Sequence, residues 1–159
     1  MSALNIKTYP TEVLRLSCAP VERLSSRERD LLSEMFLIMR RAQGIGLAAP
    51  QVGVSQRLIV ADIGQGPLKL ANPKIISIEG RDVMEEGCLS VPNATVKVAR
   101  PYQVVVQGIN EQGKVIKLKA KGLLARVLLH EIDHLNGRLI IDYMNLFSKI
   151  KYNIWLKKS

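Results

Sequence analysis

Apolar residues recur at helical spacing through Leu31, Leu32, Met35, Phe36, Met39 and Ala42, which predicts a helix with one buried face. Ser25 stands just before the run with Glu28 three residues on, a pairing that caps a helix start, and Gly44 ends it. Upstream, Tyr9 to Pro20 is punctuated by two prolines and reads as an extended arm with turns. From Arg57 to Lys119 the periodicity shortens to strand-like pieces at Leu58–Ala61, Lys69–Ala71, Ile75–Ile78, Thr95–Val98, Tyr102–Ile109 and Lys114–Leu118. Gly, Pro, Asn and Asp separate them. The pieces are too closely spaced for repeated strand-helix-strand units, so antiparallel or mixed sheets are expected. A second helix runs from near Gly122 through Leu123, Leu124, Val127, Leu128 and Leu135 to a stop at Gly137. A short strand at Leu139–Ile141 and a final helix from about Asn145 to Leu156 complete the pattern, with Phe147, Ile150 and Ile154 near one side.

The 159 residues suffice for one compact domain and fall short of two, so residues 1–159 are expected to form a single catalytic-size unit. Hydrophobic residues at 47% and charged residues at 23% can build a core and exclude a wholly disordered chain. The 23 Lys and Arg against 14 Asp and Glu leave a formal +9, a field that draws phosphate, RNA or acidic peptides without specifying any chemistry. Lys149, Lys151, Lys157 and Lys158 concentrate part of it in the last helix. Cys18 and Cys88 are the only cysteines, charged residues interrupt the early apolar stretches, and no apolar run is long enough to span a bilayer. A reducing, cytoplasmic location is expected, with no membrane partner.

The sharpest chemical signal is His130-Glu131-Ile132-Asp133-His134 within the second helix. Residues four apart share a helix face, so both imidazoles can address one metal while Glu131 lies beside a bound water. These are the only two histidines, which leaves a catalytic metal one protein ligand short. Asp142 is a formal acidic candidate for that place. Cys88, in Glu85-Glu86-Gly87-Cys88-Leu89-Ser90-Val91-Pro92, is the other: a thiolate completes the set, against the alternative of an inert buried thiol. The third feature is Gly44-Ile45-Gly46-Leu47-Ala48-Ala49-Pro50-Gln51-Val52-Gly53, whose small residues permit close approach of a ligand and whose Gln51 can donate to an oxyanion. A tightly packed helix-to-strand turn explains the same residues. The segment lacks the Gly-Lys-Ser/Thr ending of a phosphate loop.

Together, GIGLAAPQ at 44–51, EGCLS at 86–90 and HEIDH at 130–134 resemble the three motifs of the peptide deformylase family, in order and at suitable spacing. The resemblance implies an α+β fold, with mostly antiparallel or mixed sheets packed around the central motif helix and a C-terminal helix. It implies removal of the formyl group from N-formylmethionyl nascent peptides, with release of formate. It assigns Cys88, His130 and His134 to the metal, Glu131 to proton transfer, and Gln51 with the Leu89 N–H to the oxyanion. Gly46 would bind the peptide as an added strand, Ile45, Met84, Leu123, Val127 and His130 would surround the methionine side chain, and Gly87 would shape the thiolate segment. The metal implied is one divalent ion, commonly Fe2+, with Zn2+, Ni2+ or Co2+ as substitutes. Work near the ribosome is also implied, with the basic C-terminal region favouring contact with ribosomal RNA, and with no transit peptide evident a bacterial cytoplasm is expected ahead of an organelle. One departure stands out: Leu129 occupies a position where many members of that family have Gln, removing a hydrogen-bonding group beside the metal ligands.

Two rival readings are compatible with parts of the pattern. An HExxH endopeptidase would cleave internal amides of unformylated peptides. A noncatalytic RNA-binding protein would keep the metal site without hydrolysis.

Overall fold

The computed structural model describes residues 3–159. Helix α1 (Ser26–Arg41) leads into strands β1 (Gly46–Ala48), β2 (Leu58–Ala61), β3 (Leu68–Glu79), β4 (Asp82–Cys88), β5 (Val91–Arg100), β6 (Gln103–Ile109) and β7 (Val115–Lys121), followed by helices α2 (Gly122–Leu135) and α3 (Leu146–Lys158). Five strands form one sheet in the order β1-β2-β3-β6-β7, and β4 and β5 form a separate hairpin. All pairings between these strands are antiparallel, so the fold is α+β.

The N-terminus of α1 is capped as its sequence predicts: the Ser25 N–H donates to Glu28 Oε2 at 2.9 Å, and the Ser25 hydroxyl donates to the same oxygen. The inward face of α1 carries Leu32, Met35 and Met39, which cluster with Leu58 and Val60 of β2. Ile59, between those two strand residues, belongs instead to the cluster built on Ala125, Leu128, Ile132 and Leu135 of α2, with Val104, Val106 and Ala120 from β6 and β7. Alternation along β2 therefore serves two helices on opposite faces, which is why all four of its residues are buried and apolar. A third cluster joins the hairpin to the C-terminal region through Val91, Val96, Val98, Ile140 and Tyr152.

Several elements depart from the sequence expectation. The pieces at Lys69–Ala71 and Ile75–Ile78 are one strand, with register shifts on either side of Lys74 and Ile75 that absorb Asn72 and Pro73. The Asn72 side chain, released from the ladder, binds the Val21 N–H and C=O, each at 2.8 Å. Strand β4 has no apolar alternation to announce it, because its Glu85-Glu86-Gly87 segment is held by tertiary contacts. Leu139–Ile141 forms no strand. Ile140–Tyr143 is instead a 3-10 turn whose start is fixed by Asp142 Oδ2 accepting from the Leu139 N–H at 2.9 Å. A short apolar run cannot distinguish these outcomes by periodicity. In α3, Phe147, Ile150 and Ile154 face solvent, and Tyr152 packs inward with Leu156 beside it.

What holds the hairpin against α2 is a buried charge cluster centred on Glu86. Arg100 Nε and Nη2 donate to its two oxygens at 2.6 and 2.9 Å, and Arg126 Nη1 donates to Oε1 at 2.7 Å. Arg126 also donates to the carbonyls of Val98 and Asp82, at 2.9 and 3.0 Å, and Arg100 reaches Asp133 of α2 at 2.9 Å. All three hub residues are buried. Such a cluster is stable only when complete, because each charge has lost its water.

Two stability outcomes follow. Glu86→Ala strands two buried guanidinium groups and is expected to cost about 3–5 kcal/mol in urea denaturation of the metal-free protein. Gly137 has φ +71°, and a Cβ there would lie 2.4 Å from the Arg15 carbonyl oxygen. Gly137→Ala is therefore expected to lower stability by about 2 kcal/mol, with an unchanged result showing that the arm can move away.

Candidate active site

Helical spacing on α2 brings His130 and His134 onto one face, with ring centroids 5.0 Å apart in an edge-to-face arrangement. Cys88, at the end of β4, completes the group: its Sγ lies 3.3 Å from His134 Nε2. One ligand atom from each of the three residues falls within 4.8 Å of the others. A register shift between Glu86 and Cys88 turns the thiol toward the helix. Asp142, the other candidate for the third position, is engaged elsewhere, paired with Arg15 at 2.6 Å and with Lys149 at 3.4 Å. Cys18 is buried in the core between α2 and the sheet.

Glu86 links the charge cluster to this site. Its Oε2 lies 2.9 Å from His130 Nδ1, an interaction that orients the ring and leaves Nε2 free to ligate. Burial alone would raise the Glu86 carboxyl, but hydrogen bonds from His130 and Arg100 outweigh it and hold the pKa at about 2. Burial likewise disfavours charge on His130, yet its hydrogen bonds with Cys88 and Glu86, and the nearby Glu131, raise it to about 10. His134 is pushed well below its ordinary value by burial and by the positive His130 and Arg100. A soft thiol and two imidazoles in a site that attracts positive charge suit a divalent transition metal.

Glu131 lies beside them, and burial lifts its carboxyl to about 7. Its Oε2 is buried without a hydrogen-bond partner. Its Oε1 lies against β1, where a Cβ on Gly46 would be 2.3 Å away, so only glycine lets the strand come this close. Gln51 sits in the 3-10 turn Ala49–Val52, with Oε1 accepting from the Ala48 N–H at 2.9 Å. Its Nε2 donates to Ser90 Oγ at 3.2 Å and lies 3.7 Å from Cys88 Sγ.

These groups open into a cavity of about 780 Å³. Ile45, Gly46, Gln51, Gly87, Cys88, Leu89, Leu123, Val127, His130 and Glu131 line it. His134 is not in the lining, being 1% exposed. Met84, expected beside them, is outside the lining and 44% exposed. The walls also include Arg126, Gln43, Asn93 and Thr95, which the motifs did not single out. Arg126 was legible in principle, since it precedes His130 by one helical turn. Gln43, Asn93 and Thr95 carried no local signal. Leu129 is 6% exposed within the α2 cluster, so the departure from Gln is accommodated by apolar packing.

The model of the polypeptide deformylase family matches residues 3–149. A peptide deformylase of Halothermothrix orenii is 51% identical over 144 residues, covering 89% of this chain and 94% of its own. One from Thermodesulfovibrio yellowstonii is 44% identical and covers 99% and 97%. The crystal structure of peptide deformylase from Ehrlichia chaffeensis in complex with actinonin superposes with a TM-score of 0.94 at 39% identity, covering 99% of this chain and 98% of that one. With its motifs gathered around one cavity and residues 3–149 matched by the family model, this chain belongs to the polypeptide deformylase family.

Proposed function

We propose that this protein hydrolyses the formyl group from N-formylmethionyl peptides, with residues 1–159 as one catalytic domain. The observation that carries the reading is the Cys88–His130–His134 cluster beside a cavity whose wall also holds the buried Glu131 carboxylate, one oxygen of which has no partner. Cys88, His130 and His134 would hold one divalent ion, Fe2+ in our reading, with Zn2+, Ni2+ or Co2+ able to replace it. Such an ion supplies Lewis acidity and makes water more acidic.

The chain's own groups then do the proton and charge work. Glu131 accepts a proton from water as the water oxygen adds to the formyl carbon. A pKa of about 7 suits it to both accepting and releasing that proton near neutral pH. The Gln51 amide and the Leu89 N–H donate to the oxyanion of the tetrahedral species. Glu131 passes its proton to the departing nitrogen as the carbon–nitrogen bond breaks, which yields formate and a free amino terminus. Ile45, Leu123, Val127 and the edge of His130 surround the methionine side chain, with Gly46 offering its backbone to the peptide and Gly87 shaping the opposite wall. Met84 contributes to that pocket only if it moves inward from its exposed position.

The setting is proposed on the same footing. Among the described residues no helix is long and apolar enough to cross a membrane. The bacterial relatives support a bacterial cytoplasmic location. The exposed lysines of α3 support transient contact with ribosomal RNA where formylated chains emerge.

Formate release from an N-formylmethionyl peptide by anaerobically iron-loaded protein tests the reading, with the N-acetyl peptide as control. Release confined to the formyl peptide is expected, and cleavage of internal amides in its place would favour an endopeptidase. Glu131→Gln is expected to retain one metal per chain by elemental analysis while losing about 10²- to 10⁴-fold in kcat. Full turnover in that variant would remove Glu131 from the mechanism.

A further inference from the structure

Two residues on the cavity wall have left-handed backbones without being glycine. Gln43 has φ +57° and Asn93 has φ +59°. The first is the more telling, because its position is defined by how α1 ends. The Gln43 N–H donates to the Arg40 carbonyl at 3.1 Å and the Gly44 N–H to the Met39 carbonyl at 2.9 Å. That pair of bonds makes Gln43 the residue after the cap, which helices most often fill with glycine. The chain has a glycine one place later, at Gly44, and keeps a side chain where the backbone disfavours one.

Folding alone does not account for that side chain. Both Gln43 and Asn93 are exposed, and among the described residues neither side-chain amide has a hydrogen-bond partner within the chain. Both line the cavity. They belong to separate stretches of its wall: Gln43 precedes the Gly44–Gly46 segment, and Asn93 lies on β5, with Thr95 two residues along the same strand. Free polar groups thus flank the opening from two elements. Non-glycine residues in sparsely populated backbone regions concentrate where function holds them.

We infer that Gln43 and Asn93 bind the main chain of the substrate peptide beyond its formylmethionine. This inference rests on the deformylase reading. A carboxamide donates and accepts, so it can pair with either a peptide N–H or a peptide C=O. Being uncharged, it does so without selecting the charge of the side chains that follow. An enzyme acting on chains of many sequences needs recognition of this kind. The two residues are then specificity determinants for peptide length.

The test compares formylmethionine amide, which ends at the first residue, with a formylmethionyl tetrapeptide, using iron-loaded enzyme. Gln43→Gly and Asn93→Gly remove the amides and relieve the backbone, so impaired folding does not mimic the effect. In the double variant, kcat/KM for the tetrapeptide relative to the short substrate is expected to fall about three- to tenfold, through KM, as for the loss of one or two hydrogen bonds. Gln43→Ala is expected to lower the ratio as Gln43→Gly does, while only the glycine variant raises Tm. An unchanged ratio, with formate still released, overturns the inference and leaves the deformylase reading standing. Wild-type protein that releases no formate from either substrate overturns both.

Discussion

The carboxylate of Glu86 is the point on which this structure turns. It is buried at 6% exposure and meets Arg100 from β5 and both Arg126 and His130 from α2. A lone ion in that place would be prohibitively costly, and the cluster persists because every charge faces a partner. Its partners set the position of the β4–β5 hairpin on α2. Because Cys88 lies two residues further along β4 and His130 is a direct contact, the same interaction sets the distance between the thiol and the imidazoles. Stability and site geometry are thus one property here. The Asp133 carboxylate extends the arrangement, taking hydrogen bonds from Arg100 at 2.9 Å and from the Tyr143 hydroxyl at 2.6 Å.

The opposite wall is made by absence of bulk. Val127 and Glu131 of α2 lie so close to Gly46 that a Cβ would meet them at 2.8 and 2.3 Å. Strand β1 is the edge of the five-stranded sheet, paired on one side with β2. An edge strand whose backbone comes this close to a buried carboxylate leaves its outer main-chain groups unpaired beside that carboxylate, the arrangement on which the proposed binding of an extended peptide rests. Burial pushes the carboxyl pKa of Glu131 and of Glu86 upward alike, and only at Glu86 do hydrogen-bonded partners reverse the direction. Glu86 takes hydrogen bonds from two guanidinium groups and pairs with an imidazole, whereas Glu131 retains an unpartnered oxygen.

Much of this was readable locally, and the failures have a common cause. The capped start of α1, the helical span of α2 and the strand at Leu58–Ala61 are governed by near neighbours, and they stand where periodicity places them. Strand β4 was not readable, since its two glutamates look solvated until Arg100 and Arg126 are brought to one of them. The 3-10 turn at Ile140–Tyr143 and the solvent-facing side of α3 were equally hidden. Apolar spacing says that a face is available for burial and not whether anything arrives to cover it.

By itself the sequence determined the donor chemistry: two histidines one helical turn apart with a glutamate between them, a cysteine beside glycine, and a run of small residues too slender to block a backbone. These are properties of residue types and short spacings, so they survive without knowledge of the fold. Residue chemistry left Cys88 and Asp142 both open and the motif resemblance pointed to Cys88; the tertiary structure is what brings its thiol to the histidines, leaves Met84 outside the cavity and stands Gln43 and Asn93 at its walls. Those outcomes depend on contacts between segments tens of residues apart, where burial and charge pairing outweigh local preference.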